Sequence, residues 1–371
     1  MLTSLRLINF KNHEDTLIEE LKPLSVFVGP NAVGKSSILE AANVISRLGR
    51  IPSSDLLSEK GEFDAKVLAR QDQKHFAVEA TLGNDADPWE ARLTSVFKDG
   101  WWQSRAAVGP QGKPAEELWH NHGLPEEFSH FRKKLGDALY LRMDASRLRE
   151  PSYLETLPFR LQPDGYGLAT VMRKLMGEEP EEYMKLVARL RSVVPSVTGV
   201  RFTAVKVLRT RKQTIQFNGQ THTFDVKEEV NADQLLFDTV DKRGVPASMQ
   251  SDGTLYALGL LTALSLDETP RLVLLDDVET GLHPEAQRKL VDLLRELVGD
   301  GSRVQLLMTT HSPYIVDGLK SDHVWVCGRR EGGRVHVKPL SAARGADAAL
   351  KVLTTGELWN VRGESWVAGE D

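Results

Sequence analysis

Cysteine is all but missing from this 371-residue chain: Cys327 stands alone, which excludes an internal disulfide framework and any cysteine-based zinc site. A free cysteine packs as a small hydrophobe, and within Val324-Trp325-Val326-Cys327 it reads as a buried strand residue. No apolar run is long enough to span a membrane, and Met1-Leu2-Thr3-Ser4 lacks the basic-apolar pattern of a leader, so a cytoplasmic location is expected. Heptad series, internal repeats and low-complexity segments are also missing, which argues against long coiled-coil arms. Positive charge is not in excess: a net charge of −5 and a pI near 6.1 argue against a wholly basic surface. What the chain does have is 41% hydrophobic content, enough to bury one large core or two lobes.

Leu24 to Val28 is an apolar strand that runs into Gly29-Pro30-Asn31-Ala32-Val33-Gly34-Lys35-Ser36-Ser37 and then into the amphipathic Ile38-Leu39-Glu40-Ala41-Ala42. Strand, glycine-rich turn and helix in this order are what a phosphate-binding loop requires, and every fixed position of G-x-x-x-x-G-K-[ST] is filled. Gly29 and Gly34 let the backbone curl so that its N–H groups face the α- and β-phosphates, helped by the positive end of the following helix. Lys35 is expected to reach the β- and γ-phosphate oxygens, and Ser36 to take a position on Mg²⁺. The chain is therefore expected to hold a nucleoside triphosphate. A bare glycine turn between strand and helix is the reading this context argues against.

Downstream, Arg271-Leu272-Val273-Leu274-Leu275-Asp276-Asp277-Val278-Glu279 carries an apolar strand into three carboxylates. The run does not alternate, as expected of a parallel strand covered on both faces. Asp276 would hold Mg²⁺ through water from the carboxyl end of the strand, and Asp277 would orient or deprotonate the water attacking the γ-phosphate. Read alone, the same residues are a solvated acidic strand end. Two weaker signals follow the same logic: Met249-Gln250-Ser251-Asp252-Gly253-Thr254 opens an apolar helix, and Val304 to Thr309 is a strand that delivers His311. Each alone is more ordinary, an N-cap and a strand-end histidine.

Their order carries more. Phosphate loop, Ser-x-Gly-Thr helix, acidic strand, Gly281-Leu282-His283-Pro284 and Thr310-His311-Ser312 succeed one another as in an ABC-type ATPase head. The chain resembles the SMC/RecF/OLD class of these ATPases, and within it the compact prokaryotic AAA-type ATPases, many of them encoded beside a nuclease or other effector in antiphage defence operons. The opening Leu5-Arg6-Leu7-Ile8-Asn9-Phe10-Lys11-Asn12-His13, the Asp164-Gly165-Tyr166-Gly167 turn and Val194-Pro195-Ser196-Val197 fit the class too.

The resemblance implies an α/β ABC ATPase head with a RecA-like parallel core sheet, a flanking antiparallel β-sheet and a helical insertion lobe. It implies ATP and Mg²⁺, with Asn12 on the basic loop that lies against the nucleotide. It implies that Ser251 and Gly253 contact the γ-phosphate held by an opposite subunit, so that two heads sandwich two ATPs in a homodimer. Gly281 to Pro284 match the D-loop crossing that interface, and His311 matches a histidine that senses the γ-phosphate. Asp277 departs from the family, which usually has glutamate there. One methylene fewer draws the carboxylate back by ~1.5 Å, and a displacement of ~1 Å can cost ~10²-fold in rate. Hydrolysis is therefore expected to be slow; Glu279 is the alternative base, disfavoured by its place after the turn.

The expected division is a discontinuous nucleotide domain, 1–110 and 235–371, with an insertion lobe over 111–234. The first lobe reads as strands at Ser4–Phe10, Leu24–Val28, Phe63–Ala69, His75–Leu82 and Glu90–Phe97, with a helix at Lys35–Leu48. The lobe reads as helices at Glu126–Leu135, Leu168–Met176 and Pro180–Val194, then strands at Val200–Leu208 and Lys212–Phe217. Leu141 to Arg147 falls where the class couples nucleotide to insertion, without the usual glutamine. Arg132-Lys133-Lys134, Arg142 with Arg147 and Arg149, and Arg209 with Arg211 and Lys212 are either phosphate contacts on DNA or solvated faces. Trp101-Trp102 either stack on bases or pack between lobes. Ala349 to Trp359 reads as an amphipathic helix that either docks a partner or packs back on the head.

The function expected is a dimeric ATPase whose ATP-driven closure controls a separate effector, a nuclease or toxin, or acts on DNA in antiphage defence. The alternative is a RecF-like repair factor that binds DNA directly. A nuclease within the same chain is not expected, because 312–371 holds no metal-binding series and is short for a domain of ~100 residues.

Overall fold

The structure is a computed structural model and describes the chain except residues 49, 51, 59–61, 84–86, 117–124, 154–159, 218–219, 266–269, 300–301, 331–332 and 370–371, with no side chains between 215 and 223. The chain groups into two compact units. The first contains Met1–Leu141, Pro270–Glu279 and Gln287–Asp371, and the second Arg142–Thr269 and Thr280–Ala286.

In chain order the first unit holds strands β1 (Leu2–Phe10), β2 (His13–Ile18), β3 (Leu24–Val28), β4 (His75–Leu82), β5 (Trp89–Lys98), β6 (Trp101–Pro110), β7 (Ala115–Glu116) and β8 (Leu139–Leu141). After the second unit's three strands come β12 (Leu272–Leu275), β13 (Gln305–Thr309), β14 (Val324–Arg329) and β15 (Val335–Pro339). The core sheet runs β15-β14-β3-β13-β12-β8, parallel throughout except for β15 at its edge. Every residue of β3, β12 and β13 is buried, the environment that unalternating apolar runs demand. The other sheet, β2-β1-β4-β5-β6-β7, is antiparallel. Buried Gln305 joins the two: its amide donates to Leu2 O at 2.7 Å and accepts from Leu2 N at 2.8 Å.

The helix Lys35–Ser46 packs Ile38, Leu39, Ala41, Ala42, Val44 and Ile45 into a core shared with residues of both sheets. Phe63–Ala69 is not the strand its composition suggests. Asp64 caps Lys66 N at 2.8 Å and turns Ala65–Leu68 into one helical turn, leaving only a bridge from Ala69 to Phe10. The C-terminal helix also differs. It breaks after Ala346–Ala349, and a new helix, Thr355–Arg362, starts at a capping box between Thr354 and Glu357, so Gly356 lies inside a helix and does not end one. Gly356 N donates to Asp317 Oδ1 at 2.9 Å and Thr355 Oγ1 to Leu319 O at 2.8 Å, so this segment packs back on its own unit.

The second unit has helices Leu168–Glu178, Pro180–Val193 and Asp252–Leu264 and strands β9 (Val197–Phe217), β10 (Gln220–Thr239) and β11 (Val245–Pro246). The two strands read at Val200–Leu208 and Lys212–Phe217 are one, β9, paired along its length with β10 in an antiparallel ribbon. The helix Asp252–Leu264 is buried at most positions, with Gly259 against Leu148 and Met143. Tyr183 donates to Val200 O at 2.7 Å, tying a helix to the base of the ribbon.

Candidate nucleotide site

The carboxyl ends of β3, β12 and β13 bring the phosphate-loop residues, Asp276, Asp277, Glu279 and His311 together in the first unit. Gly29 (φ 141°) and Gly34 (φ 116°) adopt conformations L side chains rarely take. A Cβ at Gly29 would stand 2.4 Å from Cys327 O, and one at Gly34 would stand 2.6 Å from His13 Nε2. Lys35 folds its ammonium inward onto Gly29 O (3.0 Å) and Pro30 O (2.9 Å), and burial lowers its pKa.

Beneath the loop, His13 is buried. Because a carbonyl can only accept, its Nε2 donates to Gly34 O at 3.0 Å, and Nδ1 is left facing Thr16 Oγ1 at 3.0 Å. Burial drives the His13 pKa down to about 4. At the loop's other side the carbonyl of Ala32, itself at φ 58°, accepts from Asn12 Nδ2 (3.0 Å) and from the Arg329 guanidinium (2.8 Å). Asn12 thus touches the loop backbone, and Arg329, which nothing in its local sequence marks, shares the same carbonyl.

Asp276 is buried and held through both oxygens. Oδ1 accepts from Ser36 Oγ (2.9 Å) and Thr309 Oγ1 (2.6 Å), and Oδ2 from the Tyr140 hydroxyl (3.3 Å). The group is all oxygen, the donor chemistry Mg²⁺ prefers, and it joins loop to strand. Asp277 adopts φ 51°, and its N–H donates to Thr309 Oγ1 at 2.8 Å. Burial, then the charges of Asp276 and Glu279, raise the Asp277 pKa against the opposing pull of His311 and Lys35. Both oxygens of Glu279 are engaged: Oε2 accepts from Thr310 Oγ1 and Oε1 from His311 N, both at 2.7 Å. Nothing in the local sequence marks Tyr140 or Thr309 as partners of Asp276, because a strand pattern names faces and not partners.

Ser251, Gly253 and Gly281 to Pro284 belong to the second unit. Ser251 caps the helix Asp252–Leu264 by accepting from Thr254 N at 3.2 Å, and a Cβ on Gly253 would lie 2.2 Å from Gly281 O. These two segments therefore touch backbone to backbone. Four members of the basic clusters are engaged in ion pairs. Arg147 meets Asp164 (2.9 Å) and Glu150 (2.5 Å), Arg149 meets Asp252, Lys134 meets Asp87, and Arg209 meets Glu228 (3.3 Å). Trp102 packs on Phe76 and Phe97, while Trp101 is 60% exposed. Among the described residues no helix is long and apolar enough to cross a membrane.

Residues 24–317 match the family described as "AAA domain, putative AbiEii toxin, Type IV TA system". An ATP/GTP phosphatase of Helicobacter pylori is 22% identical over 344 residues, 86% of this chain and 87% of the relative. The DNA replication and repair protein RecF of Corynebacterium jeikeium is 26% identical over 179 residues, 46% of this chain and 41% of the relative. The Pyrococcus furiosus Smc head domain with an extended coiled coil, solved bound to the C-terminal domain of ScpA, is 12% identical and superposes with a TM-score of 0.56 over 94% of this chain and 99% of that one. That likeness is one of fold. With 24–317 matched, the chain belongs to this AAA domain family and is an ATPase built on an SMC-head-like fold.

Proposed function

We propose that this ATPase is a switch: Mg²⁺-ATP closes two heads on each other, and closure signals to a separate effector protein. In this reading Lys35 and the loop amides from Gly29 to Ser37 bind the phosphates, and Ser36 with Asp276 would hold Mg²⁺, whose charge offsets that of the phosphates. Asp277 takes the proton of the attacking water, slowly, since its side chain is one methylene short of the family glutamate. His311 senses the γ-phosphate. Ser251, Gly253 and Gly281 to Pro284 meet the nucleotide and the D-loop of the opposite head.

The observation that supports this reading is the close approach of Gly253 to Gly281, by which the two segments that match the dimer motifs lie backbone against backbone. The test is association measured by light scattering. Lys35→Ala should weaken nucleotide binding itself, whereas Ser251→Arg should leave the monomer's ATP binding intact and abolish ATP-dependent dimerisation. Undiminished dimerisation of Ser251→Arg would refute the sandwich.

The effector is read as a nuclease or toxin in antiphage defence, in keeping with the toxin–antitoxin wording of the family description. Purification of the native complex, with its bound protein identified, tests it. A second reading, direct action on DNA, has the RecF match in its favour. The exposed Arg211 and Lys212 on β9 offer phosphate contacts, and salt-dependent DNA binding lost on their removal would favour it.

A further inference from the structure

The turn that carries His311 is held by side chains from both ends of segment 280–286. Glu279 accepts from Thr310 Oγ1 and from His311 N, each at 2.7 Å. Thr310 Oγ1 in turn accepts from Ser312 N at 3.0 Å, and the Ser312 hydroxyl donates to buried Gln287. Thus residues 310, 311 and 312 are each bonded within one network, and its two outer members, Glu279 and Gln287, are the residues immediately before and after segment 280–286, which contains the D-loop match Gly281 to Pro284.

The chemistry at 279 is specific. The two contacts fall on different oxygens, and a carboxylate presents an acceptor at each, where an amide presents one acceptor and one donor. An aspartate would fall ~1.5 Å short. The backbone N–H of His311 is one of the two donors, so the carboxylate fixes the peptide from which the imidazole projects. A residue whose two oxygens are engaged in this way is built to aim a neighbour.

We propose that Glu279 is a positioning residue: it aims His311 at the γ-phosphate and is not the base that activates water. The inference rests on the γ-phosphate role given to His311 above. The experiment measures affinities of the full chain for fluorescent ATP and ADP analogues in Mg²⁺, alongside single-turnover hydrolysis and thermal unfolding without nucleotide.

His311→Ala should reduce the preference for ATP over ADP; if that preference is unchanged, the γ-phosphate reading of His311 is lost and the proposal with it. Glu279→Gln and the near-isosteric Thr310→Val should each reduce the same preference by about tenfold, the scale of one lost charge-assisted hydrogen bond. ADP affinity and unfolding temperature should stay near the parent values. The double variant should be no worse than Glu279→Gln alone, because both act through one network. If His311→Ala lowers the preference and both Glu279→Gln and Thr310→Val leave it intact, His311 keeps its role and the positioning proposal is overturned. Loss of hydrolysis in Glu279→Gln with the preference unchanged overturns it too, in favour of a direct chemical role. A fall in unfolding temperature with equal losses for ATP and ADP in Thr310→Val would mark the network as merely structural.

Discussion

Tyr140 donates its hydroxyl to Asp276 Oδ2 at 3.3 Å, from the strand next to the one that carries Asp276. With Ser36 and Thr309 on the other oxygen, the carboxylate cannot rotate without giving up a partner.

Tyr140→Phe should therefore loosen Asp276 without removing it. Half-maximal hydrolysis should require about threefold to tenfold more Mg²⁺, the cost of a weak bond to a charged group, while Asp276→Asn should lose Mg²⁺-dependent affinity as well as rate. Superimposable Mg²⁺ titrations for Tyr140→Phe and the parent would remove tyrosine from the metal site.

Asp277 gives a paired prediction on stability and rate. Its pKa is raised by burial and by the charges of Asp276 and Glu279, so the folded state favours the protonated form. The group's contribution to stability is fully present below the ordinary carboxylate pKa and is lost as pH rises through the raised value. At neutral pH, Asp277→Asn should melt at a higher temperature than the parent, while retaining ATP binding and losing hydrolysis. Asp277→Glu should hydrolyse faster, because the longer side chain returns the carboxylate toward the water. The acid limb of the parent's rate profile should lie above the usual aspartate range. Hydrolysis by Asp277→Asn at the parent rate would end its assignment as base.

His13 predicts an acid sensitivity under the phosphate loop. Burial lowers its pKa from 6.5 to about 4, so stability from its neutral form is present above pH 6.5 and lost as pH falls toward 4. The full effect of such a shift is on the order of 3 kcal/mol. His13→Gln keeps a donor for Gly34 O but cannot titrate, so urea unfolding of this variant between pH 6.5 and 4 should be less pH-dependent. Equal slopes for parent and variant would show that His13 titrates normally.

Gly253→Ala should uncouple binding from association. The added methyl would sit 2.2 Å from Gly281 O, a backbone atom that cannot swing aside. Nucleotide binding should stay near the parent level while ATP-dependent association drops by about tenfold or more, as expected for a misplaced interface. Sedimentation with ATP, compared with ADP, reads the effect.

The places where local reading and structure part share a cause. Phe63–Ala69 has strand-like composition, but Asp64 supplies a cap and the segment finds only one bridge, at Ala69. Ala349–Trp359 looks like one helix until Thr354 and Glu357 cap each other and start another. In β9 the basic stretch from Arg209 to Lys212 suggests a break, yet β10 pairs straight through it, with Arg209 opposite Glu228 and Lys212 opposite Asp225. Propensity is local, and a partner strand or a cap overrides it.

The strand, glycine turn and helix from Leu24 to Ser46 and the acidic strand end at Asp276 were legible from sequence alone because each is set by residues adjacent in the chain: glycines that free the backbone, a lysine one position later, carboxylates at the end of an unalternating apolar run. The core sheet was legible for the same reason, since β3, β12 and β13 each declare their burial by composition. Tertiary structure decided what required distant partners. Only folding brings Tyr140 to Asp276 across 136 residues, Arg329 to Ala32 across 297, and Glu279 to the histidine turn across 32. A side chain's type limits what it can donate or accept, but which atom it meets depends on how strands far apart in sequence lie side by side.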